Sequence, residues 1–326
     1  MRLAFIALVA CGGATPPPEM PEAPIDQSKA AKDARAHVGE VYRTLEKANT
    51  DGLQTLSAET LIAFGPRKGD ALATRTDAIV ALRSILDPKA KRFNLHSGGL
   101  VVNASNGGHS AWAVDVLIAG NDRVAVSAVM TSADDLWLVD TVAIAKTPGG
   151  GAIRASQKSD AIVPPSMAAP PKTVDGATGA HERFAAETAD ARVVAADFAD
   201  NGIAIGAGGE MVKGKAQLAA AWKRKIRSHV RYAGAGEAST GITKDQQVAW
   251  VTAPVVRFAD KEEPLPMRLF AIYTRTGNAW KLAVQHETIA IDEAGAGAGY
   301  RKIPAPPIVE EPKPVAPAKK PPPKKK

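Results

Sequence analysis

The sequence predicts an α+β protein of two domains, each with helices packed on a curved, mainly antiparallel sheet. Three observations carry this prediction. The chain has 326 residues, long for one core and comfortable for two. Its apolar pattern passes from helical to alternating periodicity twice, in the same order. Two tryptophans with similar neighbours recur in each half, Trp112 and Trp137 in the first, Trp250 and Trp280 in the second.

The elements follow in order. Val38, Val41, Tyr42 and Leu45 recur at the spacing of one helix face. Ile79, Leu82, Ile85 and Leu86 make a second face, stopped at Asp87-Pro88 because proline cannot continue a helix. Trp112, Val114, Val116 and Ile118 then alternate along a strand, followed by strands over Val124–Thr131 and Leu136–Ala145. The second half repeats the plan: a helix marked by Leu218, Trp222 and Ile226, then strands over Val248–Phe258, Leu265–Thr276 and Ala279–Ile291. Helices first and antiparallel strands afterwards indicate an α+β arrangement. The Trp landmarks fall 25 and 30 residues apart in the two halves, a small loop insertion within a tandem duplication. Residues 147–174, rich in Gly, Pro and Ala, form a linker between domains at 30–146 and 175–292.

The ends differ from the middle. Residues 1–11 run from Arg2 through eight apolar residues to Cys11, too short for a membrane helix, which needs about 20. This is the pattern of a secretory signal, and Leu8-Val9-Ala10-Cys11 resembles a bacterial lipobox. That resemblance implies lipidation at Cys11 and a place in the cell envelope, on the periplasmic side of a membrane or at the cell surface. Residues 12–29 then read as a Pro-rich spacer. The net charge of +7 lies almost wholly in the stretch from Arg301 to the end, where eight basic residues face only Glu310 and Glu311. The folded part is nearly neutral, which argues against a nucleic-acid-binding face on the domains. Residues 293–326 read as a disordered Pro/Lys-rich tail able to hold an anionic surface or polymer by charge. A single cysteine excludes an internal disulfide and a multi-Cys zinc site, and no metal site or cofactor is expected.

The second half carries a family resemblance. Phe270-Ala271-Ile272-Tyr273, a polar turn, then Ala279-Trp280-Lys281-Leu282-Ala283-Val284-Gln285-His286 resembles the closing hairpin of SnoaL-like domains. These belong to the nuclear transport factor 2-like superfamily. Val212-Lys213-Gly214-Lys215 and Arg75-Thr76-Asp77 stand where such domains open a helix, although the first lacks the usual acid and the second the glycine. The resemblance implies cone-shaped domains with a cleft between sheet and helices. Members use that cleft for isomerase, cyclase or dehydratase chemistry, for ligand binding, or as a shape for oligomerisation, so fold alone does not assign function.

His286 stands out as a catalytic candidate, an imidazole expected to share a strand face with Trp280, Leu282 and Val284 and to act as a general base. Asp115, on the face opposite Trp112 and Val114, could serve as a carboxylate in an apolar cleft. Tyr232, Tyr273 and His229 could furnish hydrogen bonds in the second cleft. Yet Asp115 aligns with Ala253 and His286 with Ala143, so no polar set is kept in both halves. The cluster Lys223-Arg224-Lys225, with Arg227 and Arg231, reads as a solvated outer face. Three readings follow. The leading one is an envelope lipoprotein, membrane-held through its lipid, that binds a small apolar ligand or a protein partner without catalysis. The others are a SnoaL-like enzyme using the second cleft, and a homo-oligomeric scaffold displaying the basic tail.

Overall fold

The computed structural model describes residues 27–65, 71–72, 74–86, 95–119, 122–134, 136–148, 153, 176–289 and 303–308. The lipobox-like leader, most of the spacer, nearly all of the linker and most of the tail lie outside the described residues.

The first domain opens with helices α1 (Gln27–Glu46) and α2 (Thr50–Thr55), then β1 (Ser57–Phe64), β2 (Ala71–Leu72) and α3 (Arg75–Leu86). Strands β3 (Leu95–Ser97), β4 (Val101–Ala104), β5 (Ser110–Ala119), β6 (Asp122–Ala133) and β7 (Leu136–Lys146) complete it. The second domain repeats this order with α4 (Thr178–Ala189), α5 (Ala191–Asp197), β8 (Phe198–Ile205), β9 (Met211–Lys213) and α6 (Lys215–Arg227). Its remaining strands are β10 (Arg231–Gly234), β11 (Ser239–Ile242), β12 (Val248–Phe258), β13 (Leu265–Thr276) and β14 (Ala279–Thr288).

Local chemistry explains the starts. Asn49 caps α2 by accepting from the Gly52 amide at 3.0 Å, and Asp190 caps α5 by accepting from Arg192 at 2.9 Å. At α3, Thr74 Oγ1 accepts from the Asp77 amide and donates to the Asp77 carboxylate at 2.6 Å. Gly214 precedes α6 with φ +81°, a conformation that costs a glycine little.

Each sheet has the same order, β2-β1-β7-β6-β5-β3 with β4 on β5, and β9-β8-β14-β13-β12-β10 with β11 on β12. The β1/β7 and β8/β14 pairs are parallel and the others antiparallel, so the expected hairpin run is closed by one crossover strand per domain. The helices cover the concave face and make a cone, with Leu61, Ile79, Leu117 and Met130 in the first core and Phe184, Leu218, Leu269 and Leu282 in the second.

The opposite faces of the two sheets pack on each other. Trp112, Val114, Val116 and Val129 of the first meet Ile203, Trp250, Phe270 and Val284 of the second in one buried cluster. Phe64 lies 5.2 Å from the Trp250 ring centroid, and Trp250 stacks on Phe270 at 6.2 Å. Trp112 and Trp250 therefore belong to the inter-domain layer, not to the cone cores. Sheets buried on both faces read as nearly continuous apolar runs, as β12 does. At the rim, Asp245 Oδ2 accepts from Ser105 Oγ at 3.2 Å and Ser110 Oγ at 2.8 Å, tying two hairpins across the domains.

Matching β-bulges interrupt the long hairpins. Val129 pairs with Thr141 and Met130 with Val139, leaving Asp140 extra; Ile272 pairs with Val284 and Tyr273 with Leu282, leaving Ala283 extra. One extra residue reverses which side chains face the cone. Leu282 accordingly enters the second cone, whereas Val284 and His286 turn to the other sheet. This corrects the expectation that His286 shares the face of Leu282.

Candidate functional site

The first cone contains a cavity of about 50 Å³ between α1, α3 and the concave face of β5–β7. Val41, Leu45, Leu82, Leu117 and Met130 line it, and Asp115 with Tyr42 supplies its polar edge. Asp115 reaches this interior because Trp112 and Val114 take the alternate side of β5. Its Oδ1 accepts from the Gly99 amide at 3.0 Å and the Val116 amide at 2.8 Å, and its Oδ2 from the Tyr42 hydroxyl at 3.2 Å. Burial and the adjacent carboxylate push the Tyr42 hydroxyl well above its ordinary pKa, so it remains a donor. Three donors occupy a carboxylate of about four lone-pair sites, so Asp115 is an anchored acceptor with about one site left.

The second cone is furnished differently. Tyr273 donates to Glu187 Oε2 at 2.7 Å, and Tyr232 donates to Glu287 Oε1 at 2.8 Å. Lys225 also reaches inside to Glu287, and Arg183 binds Asp197 at the cone's edge. Burial pushes the Glu187 carboxyl up to about 8, with the Tyr273 hydrogen bond opposing and the Asp197 charge adding to the rise. Burial would likewise raise Glu287, but Lys225, Arg257 and Tyr232 hold it below the usual carboxylate range. The two acids thus differ in protonation at pH 7: Glu187 is neutral and Glu287 ionised. Glu187 Oε1, Asp197 Oδ2 and Arg183 Nε make no hydrogen bond among the described residues, nor do His181 Nδ1 and Gln285 Oε1. Buried polar atoms left in this state require water or a ligand.

His286 lies in neither cone. It is fully buried between the sheets, Nδ1 is 3.0 Å from Ser127 Oγ across the domain boundary, and Nε2 has no hydrogen-bond partner among the described residues. Burial drives its pKa down to about 3, so the ring is neutral. A base at this position would have no path to a substrate in the second cone. Tyr232 and Tyr273 do line that cone, but His229 sits outside it, exposed and 2.6 Å from Asp260. Lys225 departs from the expected outer basic face, since it enters the cone and lies 4.2 Å over the Trp222 ring. Cys11 lies outside the described residues. Among the described residues, no three His, Cys, Asp or Glu side chains gather as a metal would need.

The cone lined by α4, α6 and β12–β14 coincides with a sequence match. Residues 181–292 match the SnoaL-like domain family. The SnoaL-like stretch includes Glu187, Tyr232, Tyr273 and Glu287, and excludes the first domain. No curated protein matches the sequence. Among solved structures, an NTF2-like protein of unknown function from Silicibacter pomeroyi shares 13% identity over 37% of this chain and 98% of that one, TM-score 0.29. An NTF2-like protein from Pseudomonas putida shares 14% over 37% and 88%, TM-score 0.31. A protein with a cystatin-like fold from Caulobacter vibrioides shares 13% over 39% and 99%, TM-score 0.32.

Sequence reasoning missed Glu187, Asp197, Glu287 and Tyr42. Glu187 had a signal: with Ala180 and Phe184 it follows the i, i+4, i+7 spacing of a buried helix face. Glu287 had none until the bulge at Ala283 set the register.

Proposed function

We propose that the chain is a tandem of two SnoaL-like domains, held at a bacterial envelope membrane through a lipid on Cys11, that binds a small, mainly apolar ligand without chemistry. The observation that carries this reading is the first cone: an apolar cavity whose one carboxylate is anchored by three donors from the protein. A cavity of about 50 Å³ suits an apolar group of a few carbons. Asp115 and Tyr42 orient what enters. The Lys-rich tail supplies adhesion to anionic surfaces.

Native mass spectrometry of the full chain from its own membrane should find a bound small molecule, lost in Ala128→Leu, which fills the cavity from β6. A wild-type chain with no bound molecule, or an unchanged load in the filled variant, would refute ligand binding by the first cone. Palmitate labelling should vanish in Cys11→Ser, with release of the protein from membranes. Retention of that variant on membranes would remove the lipid anchor from the proposal.

A second reading, an enzyme of isomerase, cyclase or dehydratase type, draws on the second cone. Glu187, neutral at pH 7 and hydrogen-bonded to Tyr273, would be its proton donor in place of His286.

A further inference from the structure

Outside the second cone, a groove of about 880 Å³ runs between the α4–α5 junction, the last turn of α6 and the approach to β10. Its charge is mainly positive, with Arg192, Lys223, Arg227 and Arg231 on its walls. Among the described residues that line it, Asp190 is the one acid, and it is held by Arg192 at 2.7 Å. His229 faces the groove as well and bonds outward to Asp260. Lys223 and Arg227 are exposed and form no ion pair among the described residues.

The chain returns to this groove after β14. Ile303 packs on Val256 with Ala235 and Phe258, Arg231 Nη1 donates to the Pro306 carbonyl at 2.9 Å, and Ile308 forms part of the groove wall. The residues that follow are Val309, Glu310 and Glu311, the only acids after Arg301. At about 3.5 Å per residue, Glu310 lies within about 7 Å of Ile308 along the chain, and Glu311 within about 10 Å.

We propose that Glu310 and Glu311 dock in this groove against Lys223 and Arg227, tying the root of the Lys-rich tail to the helical side of the second domain. Packing of Ile303 on Val256 and the Arg231–Pro306 hydrogen bond set the register, and the acid pair meets cations that form no ion pair among the described residues. The tail's lysines, from Lys313 onward, then start from a fixed place on the molecule.

A photoreactive residue in place of Val309 in the full chain tests this. Crosslinks should map to the last turn of α6 and residues 228–231. Their yield should fall roughly fivefold in Lys223→Glu/Arg227→Glu, the size expected of surface ion pairs. It should fall similarly in about 1 M salt, where screening acts over about 3 Å. Adding Glu310→Lys/Glu311→Lys to the charge-reversed domain should restore it. Glu310→Gln/Glu311→Gln should show the same loss while leaving the folded domain untouched. Crosslinks that map elsewhere, that ignore charge and salt, or that join two chains in dilute solution would overturn the proposal.

Discussion

Trp250→Ala is expected to cost about 4–5 kcal/mol of stability, toward the top of the range for a buried aromatic. The reason lies across the hairpin. Gly241 pairs directly with Trp250, and a Cβ at Gly241 would stand 2.4 Å from the indole ring. The indole therefore covers a position with no side chain of its own, and truncation leaves a hole that glycine cannot fill. Phe64 and Phe270 lose their ring contacts at the same time, and both lie in the layer between the sheets. Calorimetry should show two separated transitions in place of one, because the lost contacts couple the domains. A single transition shifted by less than about 1 kcal/mol, below the ordinary cost of a core truncation, would contradict this packing.

Glu187→Gln should stabilise the protein at alkaline pH. The carboxyl rises on folding from its ordinary 4.5 to about 8, so the folded state holds a proton that the unfolded state releases. Stability contributed by that proton is full below about 4.5 and is lost as pH climbs to about 8, by about 1.4 kcal/mol per unit. The amide keeps an oxygen to accept from Tyr273 and carries no charge to bury. By pH 8 the variant should lead the wild type by roughly 4–5 kcal/mol, while near pH 4.5 the two should nearly coincide. Urea melts of both proteins from pH 4.5 to 8.5 measure the difference, and parallel curves would show that Glu187 is not neutralised by the fold. The same variant bears on the enzyme reading, since a turnover that survives it cannot use Glu187 as its proton donor.

The α+β class, the doubled order of elements and the spans of β12 and β13 were legible in the sequence, because they rest on periodicity and on Trp landmarks. The side chains of the site were less so. A one-residue bulge leaves no mark in composition, yet at Ala283 it sends Leu282 into the cone and His286 out of it. Trp112 and Trp250 stand out in the sequence as recurring landmarks, but sequence alone does not distinguish a domain's own core from a layer shared with its neighbour. Glu187 was hidden in a short helix whose charged residues blur its buried face, and only Ala180 and Phe184 pointed to it.

The layer between the sheets also bears on how the two halves can change. Separate identical copies meeting through a twofold axis must present every substitution twice, to themselves. Within one chain that constraint is lifted. Ser127 faces His286, while their counterparts by strand register are Phe270 and Ala143. A hydrogen-bonded pair on one side thus answers an aromatic and a small residue on the other, a division of labour that a symmetric pair of copies could not adopt.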